Sequence, residues 1–250
     1  MKRLLTTTFF VCFFIGLSAQ IINTERLRLN TREEGWAGRI SFNLNLIKNT
    51  RQITQIGLNG GVEYVKKRHR FLTLSNLLQN RVGDDNLVNN GFQHLRYNFE
   101  LSPWLISEAF SQVQFNVIQK IRVRALNGGG LRFRVVETDT FSFFLGTTYM
   151  FEYEELKDSL STINRDHRQS SYLSFNYRFN DVFRVEHITY FQPKWLDFGD
   201  FRLSSETRLS FQVTEKLAFS ISYDFLYDTR PPEDLPTTFY TIRNSLIINL

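Results

Sequence analysis

The chain has 250 residues, with 30 Lys and Arg against 25 Asp and Glu, and is rich in aromatics, carrying 25 Phe and 10 Tyr but a single Cys. That length suits one large all-β domain, or two small ones. The formal net charge of +5 is too small and too scattered along the chain for a nucleic-acid surface, and no apolar run approaches the roughly 20 residues of a spanning helix.

At the N-terminus, Lys2 and Arg3 precede an apolar run from Phe9 to Leu17, and Ser18-Ala19-Gln20 offers a small-residue cleavage site. This is the pattern of a secretory signal, expected over residues 1–19. Cys12 lies inside that run behind Phe10 and Val11, outside the small-residue context of a lipoprotein cut. The mature chain is therefore expected to hold no thiol, no disulfide and no Cys-based metal site. Losing Lys2 and Arg3 with the leader takes the net charge from +5 to +3. Residues 20–35, with Glu25, Arg26, Arg28, Arg32, Glu33 and Glu34, read as a polar periplasmic lead-in.

From Trp36 onward the sequence alternates. Successive side chains of a strand point to opposite faces, so a period of two gives one apolar and one polar face. Ile40, Phe42, Leu44 and Leu46 oppose Arg39, Ser41, Asn43 and Asn45; Ile56, Leu58, Val62 and Tyr64 oppose Gln55, Asn59 and Glu63. Phe71 to Leu78 is apolar on both parities, which leaves its facing open. Leu95, Tyr97, Phe99 and Leu101 then oppose His94, Arg96, Asn98 and Glu100, and a break follows at Ser102-Pro103-Trp104. Ser111, Val113, Phe115 and Val117 oppose Gln112, Gln114 and Asn116; Leu131, Phe133 and Val135 oppose Arg132 and Arg134. The longest stripe is Phe141, Phe143, Leu145, Tyr149, Phe151 and Tyr153. Four more runs follow, at 173–179, 201–213, 217–227 and 240–250, with 182–192 again open in its facing. The total is about twelve strands, many of the ~10-residue length of a tilted membrane strand.

Tight connections are expected at 137–140, 180–182 and 214–216, and long polar ones at 80–90, 156–169, 193–200 and 228–238. Short and long alternate along the second half of the chain, as in outer-membrane barrels with short periplasmic turns and longer outer loops. Trp36, Tyr64, Trp104, Trp195, Tyr227 and Tyr240 fall near strand ends, where an interfacial aromatic girdle would lie. The expectation is all-β: a single antiparallel transmembrane β-barrel of about 12 strands over 36–250, in the outer membrane of a Gram-negative bacterium and exported by the general secretory route. A secreted β-sandwich, with the apolar parity packed inward, is the competing architecture.

The stretch 89–135, the Tyr-Glu pairs near Phe151, the segment DFRLSSET at 200–207 and the closing segment 227–250 resemble the outer-membrane barrel family known as domain of unknown function 481. NTERLR at 23–28 is similar to the post-signal segment of its members, among which are the salt-induced outer-membrane proteins. The resemblance implies location and architecture and no established activity.

The polar parity carries the candidate chemistry. A barrel lipase needs His and Ser two apart on one strand, and His69, His94, His167 and His187 have no Ser at that spacing, His187 and Thr189 coming nearest. Asp84-Asp85 and Asp166-His167 fall in expected outer loops, where a barrel protease would place its acid and His groups and where turns place theirs. Gly128-Gly129-Gly130 lacks the Lys-Ser and the helix of a phosphate-binding loop, and is expected to be a tight connection or a bulge. No set has metal-ligand spacing. Neither catalysis nor a cofactor is expected. On the barrel reading, Arg96, Glu100, Arg132, Arg134, Glu152, Arg178, Arg202, Glu206, Arg208, Asp224 and Arg243 form a lumen charge network, with Glu63 on the same parity. Its near-balanced signs favour a structural or stress-response barrel with a narrow or occluded lumen over a channel for small hydrophilic, preferably anionic solutes. The partners expected are outer-membrane lipid, the barrel assembly machinery during biogenesis and, for the channel alternative, a small solute; no nucleic acid is expected, and the protein is taken as a monomer.

Overall fold

The computed structural model describes residues 34–48, 52–83, 85–214 and 217–248, and the expected leader and most of the lead-in lie outside them. Twelve strands follow one another: β1 (Gly35–Lys48), β2 (Gln52–Lys66), β3 (His69–Val82), β4 (Asp85–Ser102), β5 (Leu105–Asn116), β6 (Ile121–Glu137), β7 (Phe141–Leu156), β8 (Ile163–Arg178), β9 (Phe183–Lys194), β10 (Asp197–Gln212), β11 (Leu217–Asp228) and β12 (Thr238–Ile248). Each pairs antiparallel with its sequence neighbour, so the sheet order is the chain order, a pure meander. Hairpins of this kind need only short connections, and local pairing throughout explains why no crossover is present.

Burial decides between the two architectures considered above. A sandwich would bury the apolar parity, yet Leu95 is 52% exposed, Val113 49% and Leu145 41%, while Arg96 is 8%, Arg132 3% and Glu152 0% exposed. The sheet is apolar outside and charged inside, the inverse of a soluble core and the arrangement of a membrane barrel. The two stretches of open facing resolve on the same rule. Leu72 and Leu74 point inward with Phe71 outward, and Ile188 and Tyr190 point inward to join Tyr172 in a small interior cluster. Both parities are apolar there because the lumen itself takes some apolar side chains.

The sheet curls until its inner face meets itself. Tyr172 of β8 reaches Glu108 of β5, and Lys120, between β5 and β6, donates to the Glu233 carbonyl at 2.7 Å between β11 and β12. Arg243 of β12 lines the same cavity as Asn43 of β1. Among the described residues β1 pairs only with β2 and β12 only with β11, leaving a seam between them. Gly35 and Ile248 sit at one end, here the near end, together with the connections at 67–68, 103–104, 138–140, 179–182 and 213–216. The far end holds those at 83–84, 117–120, 157–162, 195–196 and 229–237. The expected sorting thus holds in direction, but three of the four long loops shrink. β3 runs to Val82 and β4 begins at Asp85, β8 begins at Ile163, and β9 and β10 flank only 195–196. Their polar residues are strand positions on the inner face or beyond the apolar band, where alternation no longer marks them.

The glycine run is neither connection nor bulge. Gly128, Gly129 and Gly130 lie inside β6 in regular register with β5 and β7, and the bulges of this strand fall at Ile121/Val123 and Arg134/Val136. A Cβ on Gly128 would meet the Phe110 ring at 2.6 Å, and on Gly146 of β7 the Tyr172 ring at 2.1 Å. The missing side chains let two aromatic rings lie flat against the inner wall.

Candidate functional site

The interior between β6 and β11 is a continuous ion-pair network. Glu152 of β7 is its centre, accepting from Arg202 Nη1 at 2.5 Å and Arg168 Nε at 2.7 Å, with Arg124 Nε at 3.0 Å. Glu154, two residues on and so on the same face, takes Arg124 Nε at 2.7 Å and Arg202 Nη2 at 3.4 Å. Arg202 Nε continues to Asp228 at 2.8 Å, and Arg168 Nη2 to Asp200 at 3.2 Å. Lys194 closes the edge, 3.0 Å from Asp166 and 2.9 Å from Asp200. Four cations meet five carboxylates, and almost every guanidinium N–H and carboxylate oxygen has a partner. Full pairing is what lets charge sit in a water-poor interior, where an orphaned ion would cost several kcal/mol.

A second group lies nearer the middle. Tyr172 donates its hydroxyl proton to Glu108 at 2.5 Å and receives Arg132 Nη1 at 3.3 Å. Arg132 lies 3.9 Å over the Phe144 ring, a cation–π contact that anchors it to the wall. Arg96 Nη1 stands 3.7 Å from Glu108, and His94 pairs with Gln112 at 2.9 Å. Between the two groups the free space is a cavity of about 50 Å³, lined by Arg96, Glu108, Glu152, Tyr172 and Arg202 among others. The cup at the near end is about 650 Å³ on the same measure.

Two larger spaces flank this plug. At the near end a cup of about 650 Å³ opens, lined by β2 to β10 and the near-end connections. Beside β1 to β5 a cavity of about 350 Å³ is lined by Asn43, Asn59, Asn76, Asn90 and Asn116, with Arg243 from β12.

The structure distributes the sequence-derived charge residues among several places. Arg202 and Glu152 are in the main network, and Arg96 and Arg132 in the middle group. Arg134 bridges Glu100 at 2.9 Å and Glu137 at 2.8 Å at the near-end cup, which Arg178, Glu206 and Arg208 also line. Asp224 and Arg243 pair with each other on β11 and β12, and Glu63 with Arg70 at 2.7 Å. Arg202 finds its acids on β7 and β11, not Glu206 on its own strand. Sequence reasoning missed Glu108, Arg124, Glu154, Arg168, Asp200 and Asp228. Glu108 shares the parity of Gln112, and Arg124 that of Arg132, so both were legible. Arg168, Asp200 and Asp228 stand at the edges of the expected loops 156–169, 193–200 and 228–238, where alternation gives no facing.

Of the candidate catalytic groups, Asp166 and His167 lie in β8 rather than in an outer loop, so the pleat sends them to opposite faces. Asp166 pairs inward with Lys194, while His167 meets Tyr149 outside. His187 and Thr189 also face outward, hydrogen-bonded to each other at 2.9 Å and to Thr207 and Ser205. Among the described residues no three His, Cys, Asp or Glu side chains group as metal ligands would.

The model of a family described as "Protein of unknown function, DUF481" matches residues 48–249. No curated protein matches the chain. Among solved structures, the NanC porin aligns with 15% identity over 86% of this chain and 98% of its own, at a TM-score of 0.47. The KdgM porin in complex with disordered oligogalacturonate aligns with 10% identity over 83% and 98%, at 0.39. Pseudomonas aeruginosa OccK11 aligns with 10% identity over 84% and 82%, at 0.36.

Proposed function

The chain belongs to this DUF481 family, and from its charged, plugged interior we propose that it is a non-catalytic outer-membrane β-barrel of structural or stress-response character, with a lumen closed by its own ion pairs. The observation that carries this reading is Glu152, fully buried and held by three arginines from three other strands, beside free space of about 50 Å³. A hydrated solute needs a continuous water path, and side chains paired across the lumen with so little free space between them oppose one. The outer face supports the membrane setting. Aromatic rings meet along the near end (Trp36 with Tyr64, Trp104 with Phe133, Phe183 with Phe211) and at the far end (Phe191 with Phe201, Phe201 with Tyr227), as in two interfacial girdles. Outer-membrane lipid and the assembly machinery are the partners this implies, with the barrel as a monomer. The short near-end connections, with Gly35 and Ile248, would then face the periplasm.

The deciding experiment is single-channel recording of detergent-refolded protein in planar bilayers, with cell fractionation and heat-modifiable gel migration to place the barrel. No steady current is expected. Large, steady, anion-selective currents that fall on charge reversal at Arg132 or Arg202 refute the closed lumen, and release in a soluble periplasmic fraction refutes the membrane setting. A channel for small hydrophilic solutes is the second reading, and the asparagine-lined cavity of about 350 Å³ beside β1 to β5 favours it, since its lining is mainly amides rather than paired charges. In that case current should be blocked by a thiol reagent acting on Asn59→Cys and not on the parent protein.

A further inference from the structure

The near-end cup differs from the plug in how its charges are matched. Eight Lys and Arg side chains line it against five carboxylates. Arg134 holds two of those carboxylates, Glu100 and Glu137. Two strands on, Arg178 of β8 and Arg184 of β9 are direct register partners on the inner face, a like-charge pair that costs stability in a sheet. Arg178 donates to the Asp139 carbonyl at 2.7 Å. Among the described residues Arg184 and Arg208 form no ion pair, although Glu186 stands opposite Arg208 in register. A sheet that saturates Arg124, Arg168 and Arg202 a few residues away leaves these guanidinium groups aimed into an open concavity.

From this juxtaposition we infer that the near-end cup is a binding site for a small, multiply charged anion bearing carboxylate or phosphate groups, held by Arg178, Arg184 and Arg208. Guanidinium groups present parallel N–H pairs that match the two oxygens of such groups, and a concave wall with an excess of cations concentrates anions. At about 650 Å³ the cup has the size of a small-molecule pocket. An anion there would relieve the Arg178–Arg184 repulsion, so binding should be favoured by the very contact that the empty sheet tolerates poorly. The inference goes beyond the closed-lumen reading and stands whether or not the lumen conducts.

The test is isothermal titration of detergent-refolded full-length protein with citrate and with inorganic phosphate at low ionic strength, sucrose serving as a neutral probe. Saturable binding of citrate at one site is expected, weakened by more than about tenfold in Arg184→Gln/Arg208→Gln and unchanged in Arg122→Gln, which lies on the outer face at the far end. Because neither substituted arginine forms an ion pair, the double variant should keep heat-modifiable migration. As a measurement independent of any variant, phenylglyoxal labelling of the parent protein, mapped by mass spectrometry, should be slowed by citrate at Arg184 and Arg208. Absence of saturable binding, binding equally strong in the double variant, or labelling that citrate leaves unaltered would each overturn the site. Bilayer currents are read separately, so failure of the closed lumen and failure of the anion site are distinguishable.

Discussion

Inner positions from β6 to β10 carry Arg124, Glu152, Glu154, Arg168 and Arg202, whereas those of β1 and β2 carry Ser41, Asn43, Asn45, Gly57 and Asn59. The outer faces of the two regions are alike, with Ile40, Phe42 and Leu44 on one and Phe143, Leu145 and Leu173 on the other. Their interiors are opposite. Long guanidinium chains reach across two or three strands and meet acids there, so the β6–β10 wall is filled. Short amides and glycines reach only their own neighbours, as Asn45 does in donating to Gln55 at 3.3 Å, and the space above them stays open. The seam lies on this thin side, and β1 has no buried position along its length. Outer patterning is thus what makes the strand a membrane strand, and inner side-chain reach is what decides whether the lumen is filled.

The largest effect should come from the centre of the filled wall. Glu152→Ala takes from Arg124, Arg168 and Arg202 the one acid they share, leaving them Glu154, Asp200 and Asp228, and loss of one partner of a buried ion pair costs about 3–5 kcal/mol. Asn43→Ala on the thin side removes an exposed amide and should stay within about 0.5 kcal/mol. Urea unfolding of both variants refolded in micelles, followed by tryptophan fluorescence, measures the difference. Equal costs would erase the distinction between the two walls.

Next comes the outer face. Leu145→Arg places a cation where Leu145 meets lipid and should cost about 2–4 kcal/mol, depending on its depth. Ser142→Arg points the same side chain into the near-end cup, which Ser142 lines, and should cost little. Phe143, Phe211, Phe219 and Ile221 are expected to behave as Leu145 does. Folding yield into vesicles and urea midpoints would show it, and equal tolerance at Leu145 and Ser142 would mean that the facing of β7 is wrong.

Strand number, order and facing were legible because lipid outside and charge inside impose a strict period of two over most of the chain. Legibility ended where that contrast ended. Beyond the apolar band both parities of a strand turn polar, so Arg168 and Asp200 read as loop although they stand in β8 and β10 and complete the plug. Leu72 and Ile188 failed in the other sense, since an apolar residue packed in the lumen looks the same in sequence as one facing lipid. Which arginine meets which carboxylate was not legible at all. Arg202 finds Glu152 three strands away, and that pairing depends on how the sheet curls, which no local pattern encodes.

A smaller effect tests packing without charge. Gly146→Ala sets a Cβ at 2.1 Å from the Tyr172 ring, so the ring must move and its hydroxyl must leave Glu108. Overpacking of this kind costs typically about 1–3 kcal/mol. On the thin side, a Cβ at Gly57 meets Asn43 at 3.7 Å, an ordinary contact, and Gly57→Ala should be within about 0.5 kcal/mol of the parent. If the two alanines proved alike in urea unfolding, the filled wall would have slack that the ring contact denies.

The smallest effect is expected at the far end, where the connection from β7 to β8 leaves the filled wall. There Asp158 accepts the Thr162 amide at 2.9 Å and the Thr162 hydroxyl at 2.5 Å, which holds its carboxyl below the usual aspartate value. A carboxylate with a lowered native pKa contributes stability that is present above its unfolded value and is lost as pH falls through the native one. Any contribution here should therefore vanish only on acidification below the ordinary Asp range. Because Asp158 stands in a connection and bonds only within it, the loss should stay local. Amide exchange at Thr162 should speed up in Asp158→Asn at neutral pH and in the parent protein on acidification, while the global urea midpoint of Asp158→Asn stays with the parent. A midpoint that moves as far as that of Glu152→Ala would mean that the connection is part of the wall, and that the plug reaches beyond the strands that carry it.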